Sequence, residues 1–233
     1  MKTALVTGAS SGIGLAISRY LLENNFKVYG IARRFDSCNI SDANFKQSRC
    51  DVTKPSQIKG ICEDVMNQHN AEIDLLVNNV GVASFGPYET LNMEEITRMV
   101  DTNLRAPLLF TNQLLRGFKK TGGTIINISS ITAEIVSPWG NAYAATKAGL
   151  LHFGDSLFNE VRKSGVSVVN ILPDLTDTPF YDNLDFKPHE NPMAHLKTED
   201  VIKAVDLVLT QREGSVVTQI NLRPQKLQIE RKK

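Results

Sequence analysis

Apolar positions along the chain follow two alternating rhythms. Short runs rich in Val, Ile and Leu are separated by longer stretches in which apolar residues return every three or four positions, the spacing of one helix face. Residues 3–7 read as a buried strand running into a glycine-rich turn, and residues 13–23 carry Ile13, Ile17 and Leu21 at helical spacing. Residues 26–32 read as a second strand, 45–50 as a weaker third, and 55–68 as a helix opening on Pro55, where a first turn tolerates proline. A fourth strand at 73–78 leads into a long helical stretch at 93–119, broken or kinked near Pro107. A fifth strand at 124–128, a long helix at 141–163, a sixth strand at 166–172, a helix at 198–209 and a last strand at 216–221 complete the series.

Strands that are apolar throughout imply burial on both faces, and a helix between successive strands implies a parallel sheet. About seven strands with helices on both faces make one doubly wound, three-layer α/β/α domain, and no linker divides residues 1–233. Residues 173–197 stand apart: they show no period, hold Pro173, Pro179, Pro188 and Pro192, and are aromatic at Phe180, Tyr181 and Phe186. A stretch of that kind inside a compact domain reads as a lid over a site. Arg231, Lys232 and Lys233 read as a solvated tail.

Composition narrows the classes. With 42% hydrophobic and 22% charged residues the chain is ordinary globular protein. Its 26 basic and 25 acidic residues leave a net charge of +1, so neither a nucleic acid nor an anionic membrane finds a one-sided field. No apolar run approaches the ~20 residues that span a bilayer. The start of the chain meets a glycine at position 8, too early for a signal-peptide core. Cys38, Cys50 and Cys62 are odd in number and form no C-x-x-C pair, which disfavours a disulfide framework or structural zinc and suggests a reducing cytoplasm. His69, His152, His189 and His195 show no metal-ligand spacing.

The first turn reads Thr7-Gly8-Ala9-Ser10-Ser11-Gly12-Ile13-Gly14. Coming after a strand and opening a helix, it has the context of a dinucleotide site: glycine brings the backbone close to a pyrophosphate, and the helix N-terminus holds the charge. A tight strand-to-helix connection would look similar. Downstream, Tyr143 and Lys147 stand four residues apart, on one face if the segment is helical. This Tyr-x-x-x-Lys pattern occurs once among the five tyrosines, and Ser130 precedes Tyr143 by 13 residues at the end of the fifth strand. Ser130 lacks the flanking glycines of a nucleophile elbow, which argues against a triad hydrolase.

The Thr-Gly-x-x-x-Gly-x-Gly turn, the Ser130, Tyr143 and Lys147 spacing, and Asn78-Asn79-Val80-Gly81 together resemble the short-chain dehydrogenase/reductase family, in its shorter form, over residues 2–221. The resemblance implies a Rossmann-type sheet and an oxidoreductase that moves a hydride between a nicotinamide cofactor and a carbonyl or alcohol. It implies Tyr143 as acid/base, Ser130 as orienter of the carbonyl, Lys147 as ribose ligand lowering the tyrosine pKa, and Asn103 as holder of a relay water. Gly8, Ser10, Ser11, Gly12, Ile13 and Gly14 would cradle the phosphates. Asp51 and Val52 would meet the adenine, and Asn79 and Gly81 would lie along the cofactor with Tyr143, Lys147, Pro173 and Thr178. At the end of the second strand Ala32 stands where an NAD site has an acid, and Arg33 and Arg34 follow, favouring the 2′-phosphate of NADP(H). With so little net charge, that attraction is local.

Phe85, Trp139, Phe180 and Tyr181, on loops at strand carboxyl ends, are expected to line the pocket for a partly apolar small-molecule substrate, and no arginine pair marks an acidic one. Two departures bear on the nicotinamide: Val80 replaces the family's alanine and Asp174 its glycine. They keep a second reading open, a non-catalytic NADP(H)-binding sensor on the same fold. The chain stops soon after Leu222-Arg223-Pro224, which suggests a small or open pocket. The family also implies a homodimer or homotetramer through the helices at 93–119 and 141–163.

Overall fold

The computed structural model describes residues 1–69 and 72–232, so Lys233 of the expected tail lies outside the described residues. Strand β1 (Lys2–Thr7) is followed by α1 (Gly12–Glu23), β2 (Phe26–Ala32), β3 (Phe45–Arg49), α2 (Pro55–Gln68) and β4 (Leu75–Asn78). Then come α3 (Met93–Val100), α4 (Ala106–Thr121), β5 (Gly123–Ile128), α5 (Asn141–Val161), β6 (Val166–Pro173), β7 (Phe186–Pro188), α6 (Thr198–Leu209), β8 (Gln219–Leu222) and β9 (Ile229–Arg231). Seven strands form one parallel sheet in the order β3-β2-β1-β4-β5-β6-β8. The order reverses beside β1, and there the strand ends open a crevice.

The two sheet faces are sorted residue by residue. Ala4, Val6, Val77, Ile126 and Val169 point to the side covered by Ile17 and Leu21 of α1 and Val201 and Val205 of α6. Leu5, Leu76, Ile125 and Val168 point to the other side, under Ile58 of α2, Phe110 of α4 and Leu157 of α5. This alternation is why the runs are apolar at every position. Among the described residues no helix is long and apolar enough to cross a membrane.

The second core contains one polar course. Asn78, Asn127 and Asn170 are register partners on β4, β5 and β6. Asn78 Nδ2 donates to Asn127 Oδ1 at 2.9 Å, Asn127 Nδ2 to Asn170 Oδ1 at 3.1 Å, and Asn170 Nδ2 to the Asp155 carboxylate on α5 at 2.9 Å. Gly154 makes room, since a Cβ there would lie 2.3 Å from Asn170 Oδ1.

Three elements differ from expectation. The predicted break at Pro107 is instead a wide π turn over Asp101–Arg105, with the Ala106 N–H donating to the Asp101 carbonyl. Pro107 has no N–H and would crowd the carbonyl four residues back, and the turn ahead of it resolves both. The last sheet strand starts at Gln219, not residue 216, its pairing with β6 running from Gln219 opposite Asn170 to Leu222 opposite Pro173. The expected tail is in part a strand: β9 pairs antiparallel with β7, Phe186 opposite Arg231 and Pro188 opposite Ile229. Lys232 donates its N–H to the Asp185 carbonyl at 2.7 Å and its ammonium to the Asp182 carbonyl at 2.9 Å.

Asn127→Ala removes both links of the amide ladder at once, leaving Asn170 Oδ1 without its donor and Asn78 Nδ2 with only the longer contact to the Thr111 hydroxyl at 3.4 Å. The variant is expected to lose roughly 2–4 kcal/mol of stability, read from its urea midpoint; an unchanged midpoint would show that the ladder holds nothing.

Candidate active site

One cleft of about 1040 Å³ runs along the carboxyl ends of β1, β2, β4, β5 and β6. Its floor at one end is the turn between β1 and α1. Gly8 (φ +69°) and Gly12 (φ +52°) occupy left-handed backbone that a larger side chain resists. A Cβ on Gly14 would lie 2.3 Å from the Gly8 carbonyl oxygen, so Gly14 sets how closely α1 meets the strand rather than lining the cleft. The Ser11 side chain makes no capping hydrogen bond, and the first turn of α1 carries no acid. The helix therefore presents its N-terminal N–H groups and positive dipole end to the cleft. Thr178 closes over this turn: a Cβ on Gly12 would lie 3.3 Å from its Cβ.

Thr7 ties the ends of β1 and β4 together. Its hydroxyl donates to the Val77 carbonyl (3.2 Å) and accepts from the Asn79 and Val80 N–H groups (2.9 and 3.1 Å). Asn79 Nδ2 donates in return to the Thr7 carbonyl at 2.8 Å. Beyond β2, Arg33 lines the cleft beside Asp51 and Val52, but Arg34 does not. Successive side chains leaving a strand diverge, so only one of the two arginines can face the cleft. The Asp51 carboxylate accepts from Thr53 N–H and hydroxyl, which with the charge of Arg33 holds its pKa below the ordinary value against the opposing effect of burial.

At the other end, β5 and α5 bring Ser130, Tyr143 and Lys147 to the cleft wall. All three are more than nine-tenths buried. Ser130 Oγ accepts from the N–H and hydroxyl of Thr132 (3.2 and 3.0 Å), leaving its own proton to donate. Lys147 Nζ donates to the Ile128 carbonyl at 2.9 Å and sits 5.8 Å from the centre of the Tyr143 ring. Burial pushes Tyr143 up to about 12, opposed by the Ser130 hydroxyl, and pushes Lys147 down to about 8. The expected lowering of the phenol by its lysine is therefore outweighed within this chain: desolvation favours the neutral form of both groups.

Asn103 does not line the cleft. Its Oδ1 accepts from Val82 N–H (2.9 Å), and its Nδ2 donates to the Val82 carbonyl (2.8 Å) and Thr146 hydroxyl (3.1 Å). Both amide protons are engaged, so the residue clamps the loop after β4 against α5, at the π turn that the sequence read only as a kink. Asp174 is absent from the left-handed region among the described residues; its carboxylate accepts from Leu175 N–H at 2.8 Å and pairs with Arg223 at 3.5 Å. The glycine it replaces is thus not required by the backbone here.

Of the expected pocket residues, Phe85, Trp139, Phe180 and Tyr181 all line the cleft, as do Gly81 and Pro173. Phe186, Ile229 and Arg231 line it too. Phe186 was visible as a loop aromatic, but nothing in the residues near Arg231 signals that they return to the cleft. Thr146 and Ser129 also escaped the motif: Thr146 Oγ1 donates to the Tyr143 carbonyl (2.7 Å) and Ser129 Oγ to the Lys147 carbonyl (2.9 Å), fixing the pair from behind.

The family model described as short chain dehydrogenase matches residues 2–188. An uncharacterized oxidoreductase of Staphylococcus haemolyticus is 31% identical over 229 residues, covering 96% of this chain and 97% of its own. The 3-oxoacyl-acyl-carrier-protein reductase of Salmonella typhimurium is 36% identical over 182 residues, 76% of this chain and 74% of its own. Among solved structures, an alcohol dehydrogenase from the archaeon Thermococcus sibiricus, complexed with 5-hydroxy-NADP, superposes with a TM-score of 0.85 at 25% identity, covering 96% of this chain and 97% of the other.

The buried lysine predicts a pH signature. Lys147 titrates near 8 in the fold against 10.5 for an ordinary lysine, so between those values the unfolded chain binds the extra proton and stability rises with pH. Lys147→Met is expected to have the higher thermal midpoint at pH 7, with the gap closing between pH 8 and 10, below the range where Tyr143 adds its opposite effect. A gap independent of pH would contradict a buried titrating ammonium.

Proposed function

The chain belongs to the short-chain dehydrogenases, and from that premise we propose that it interconverts a ketone or aldehyde and an alcohol with NADP(H). The observation that carries the reading is the convergence of Ser130, Tyr143 and Lys147 on the wall of the same cleft whose far end is the glycine turn. The residues fit a nicotinamide dinucleotide: a helix N-terminus free of acid for the pyrophosphate, Asp51 and Val52 for the adenine, and Asn79, Gly81, Pro173 and Thr178 along the way. Bound there, the cofactor supplies or takes up the hydride.

The chain's own residues handle the oxygen and the proton. The Ser130 hydroxyl donates to the substrate oxygen and holds it against Tyr143, as an oxyanion donor does. Tyr143, held up to about 12, stands protonated at neutral pH and donates to the incipient alkoxide during reduction. Lys147, with one N–H spent on Ile128, keeps two for the cofactor ribose and for the field that stabilises the phenolate left behind. In the oxidative direction the same field helps Tyr143 release its proton.

NADP(H) is favoured over NAD(H) because Ala32 offers no carboxylate to a ribose 2′-hydroxyl and Arg33 faces the cleft. Its guanidinium is matched to a 2′-phosphate through charge-assisted hydrogen bonds. Asp174, the departure that kept a sensor reading open, sits in unstrained backbone with its charge paired, which leaves that reading little support.

Two variants test this. Tyr143→Phe is expected to lower NADPH oxidation across a panel of ketones and aldehydes by roughly 10³-fold while binding NADPH as the native protein does. Arg33→Ala is expected to weaken NADPH binding by about tenfold or more and leave NADH binding unchanged. Native turnover by Tyr143→Phe would overturn the mechanism, and tight NADPH binding with silence on every carbonyl would favour the sensor.

A further inference from the structure

Five aromatic side chains close a ring at the substrate end of the cleft. Phe85 packs on Tyr143 with centroids 5.7 Å apart, Tyr143 on Phe180 at 6.0 Å, and Phe180 on Tyr181 at 5.3 Å. Tyr181 packs on Phe186 at 5.7 Å, and Phe186 returns to Phe85 at 5.1 Å. All five line the cleft, so the cluster presents a flat or apolar body with an aromatic wall beside the catalytic phenol.

The β7–β9 ribbon adds a charge to that wall. Phe186 and Arg231 are direct cross-strand partners, so their side chains share a face with Ile229, two positions from Arg231. The opposite face carries Lys187 and Glu230, ion-paired at 3.5 Å in solvent. Phe186, Ile229 and Arg231 line the cleft. The Arg231 guanidinium lies 6.0 Å from the centre of the Trp139 ring. Trp139 itself has φ +63°, rare for a bulky residue, and its carbonyl accepts from Gly86 N–H at 2.8 Å. Strained backbone therefore presents an indole that is 57% exposed at the cleft mouth, and an arginine rests on it.

That arginine has no carboxylate within 4 Å among the described residues, although Asp185 also lines the cleft. Arg98 of α3 reaches the cleft as well, and Asp174 is spent on Arg223. The balance of uncommitted charge at the substrate end is positive, even though the whole chain is near neutral.

We propose that Arg231 is a specificity-determining residue that recognises a carboxylate on a substrate whose apolar or aromatic body lies against the aromatic wall and whose carbonyl meets Tyr143. The substrate class is a keto acid or aldehydo acid with its two functions at opposite ends of a hydrophobic body. This rests on the oxidoreductase reading for the carbonyl end; the carboxylate end stands on the ribbon, the indole and the guanidinium. A planar guanidinium fork is suited to a carboxylate, which it can bind through two parallel hydrogen bonds.

The sole tryptophan gives a readout independent of turnover. The full chain is saturated with NADP+, which cannot reduce a ketone, and titrated with 4-acetylbenzoate or with its methyl ester while Trp139 fluorescence is followed. The acid is expected to bind about tenfold tighter than the ester, Arg231→Gln to abolish that advantage, and Arg231→Lys to keep part of it. Thermal midpoints of both variants are expected to match the native protein, as befits exposed side chains. Equal binding of acid and ester, an advantage that survives Arg231→Gln, or no response to either probe would overturn the proposal. If the acid is preferred through Arg231 yet NADPH reduces no ketone, the oxidoreductase reading falls and the carboxylate site stands.

Discussion

The site depends on three strand ends standing level, and a line of buried amides holds them there. Asn78, Asn127 and Asn170 hydrogen-bond in series across β4, β5 and β6. Side chains alternate along a strand, so a slip of one residue would turn an amide into the opposite, fully apolar core and leave its neighbours unpaired. The ladder therefore specifies register more sharply than packing of Leu, Ile and Val alone would. Just past it lie Asn79, Ser129 with Ser130, and Pro173. The polar course in the core thus sets the positions of the polar residues at its edge.

From that edge the chemistry follows by desolvation. Tyr143 and Lys147 are buried on α5, and each is driven toward its neutral form, the phenol up to about 12 and the ammonium down to about 8. A pair so placed changes protonation in response to charges brought into the cleft more readily than one in water, where solvent screens the field. The surrounding hydrogen bonds serve orientation. Ile128, Ser129, Thr146 and Asn103 hold the pair from behind, and none of them contributes a titrating group.

The lid is a composite. The segment after β6 supplies Phe180, Tyr181 and Phe186, and β9 covers it from a distant part of the chain, adding Ile229 and Arg231 to the wall. The pocket is walled more fully than the small or open one expected from the sequence, because β9 pairs with β7 and adds side chains to its wall. Local charge follows: a molecule with a net charge of +1 presents a positive cleft mouth.

The strand-and-helix rhythm was legible because the central strands β1, β2, β4, β5 and β6 are largely apolar on both faces and the helices on one, patterns that local sequence carries without help. The glycine turn and the Ser130, Tyr143 and Lys147 spacing were legible because backbone approach to phosphate and a shared helix face impose fixed intervals. What the tertiary structure decided was long-range. Arg33 and not Arg34 faces the cleft, since the strand end selects one side. Asn103 clamps the Val82 loop, since the π turn aims it there. Residues 229–231 pair with 186–188 to finish the pocket, since strand pairing across some forty residues leaves no periodic mark in a three-residue segment. The sequence by itself determined which groups were available for chemistry; only the folded chain decided which of them meet.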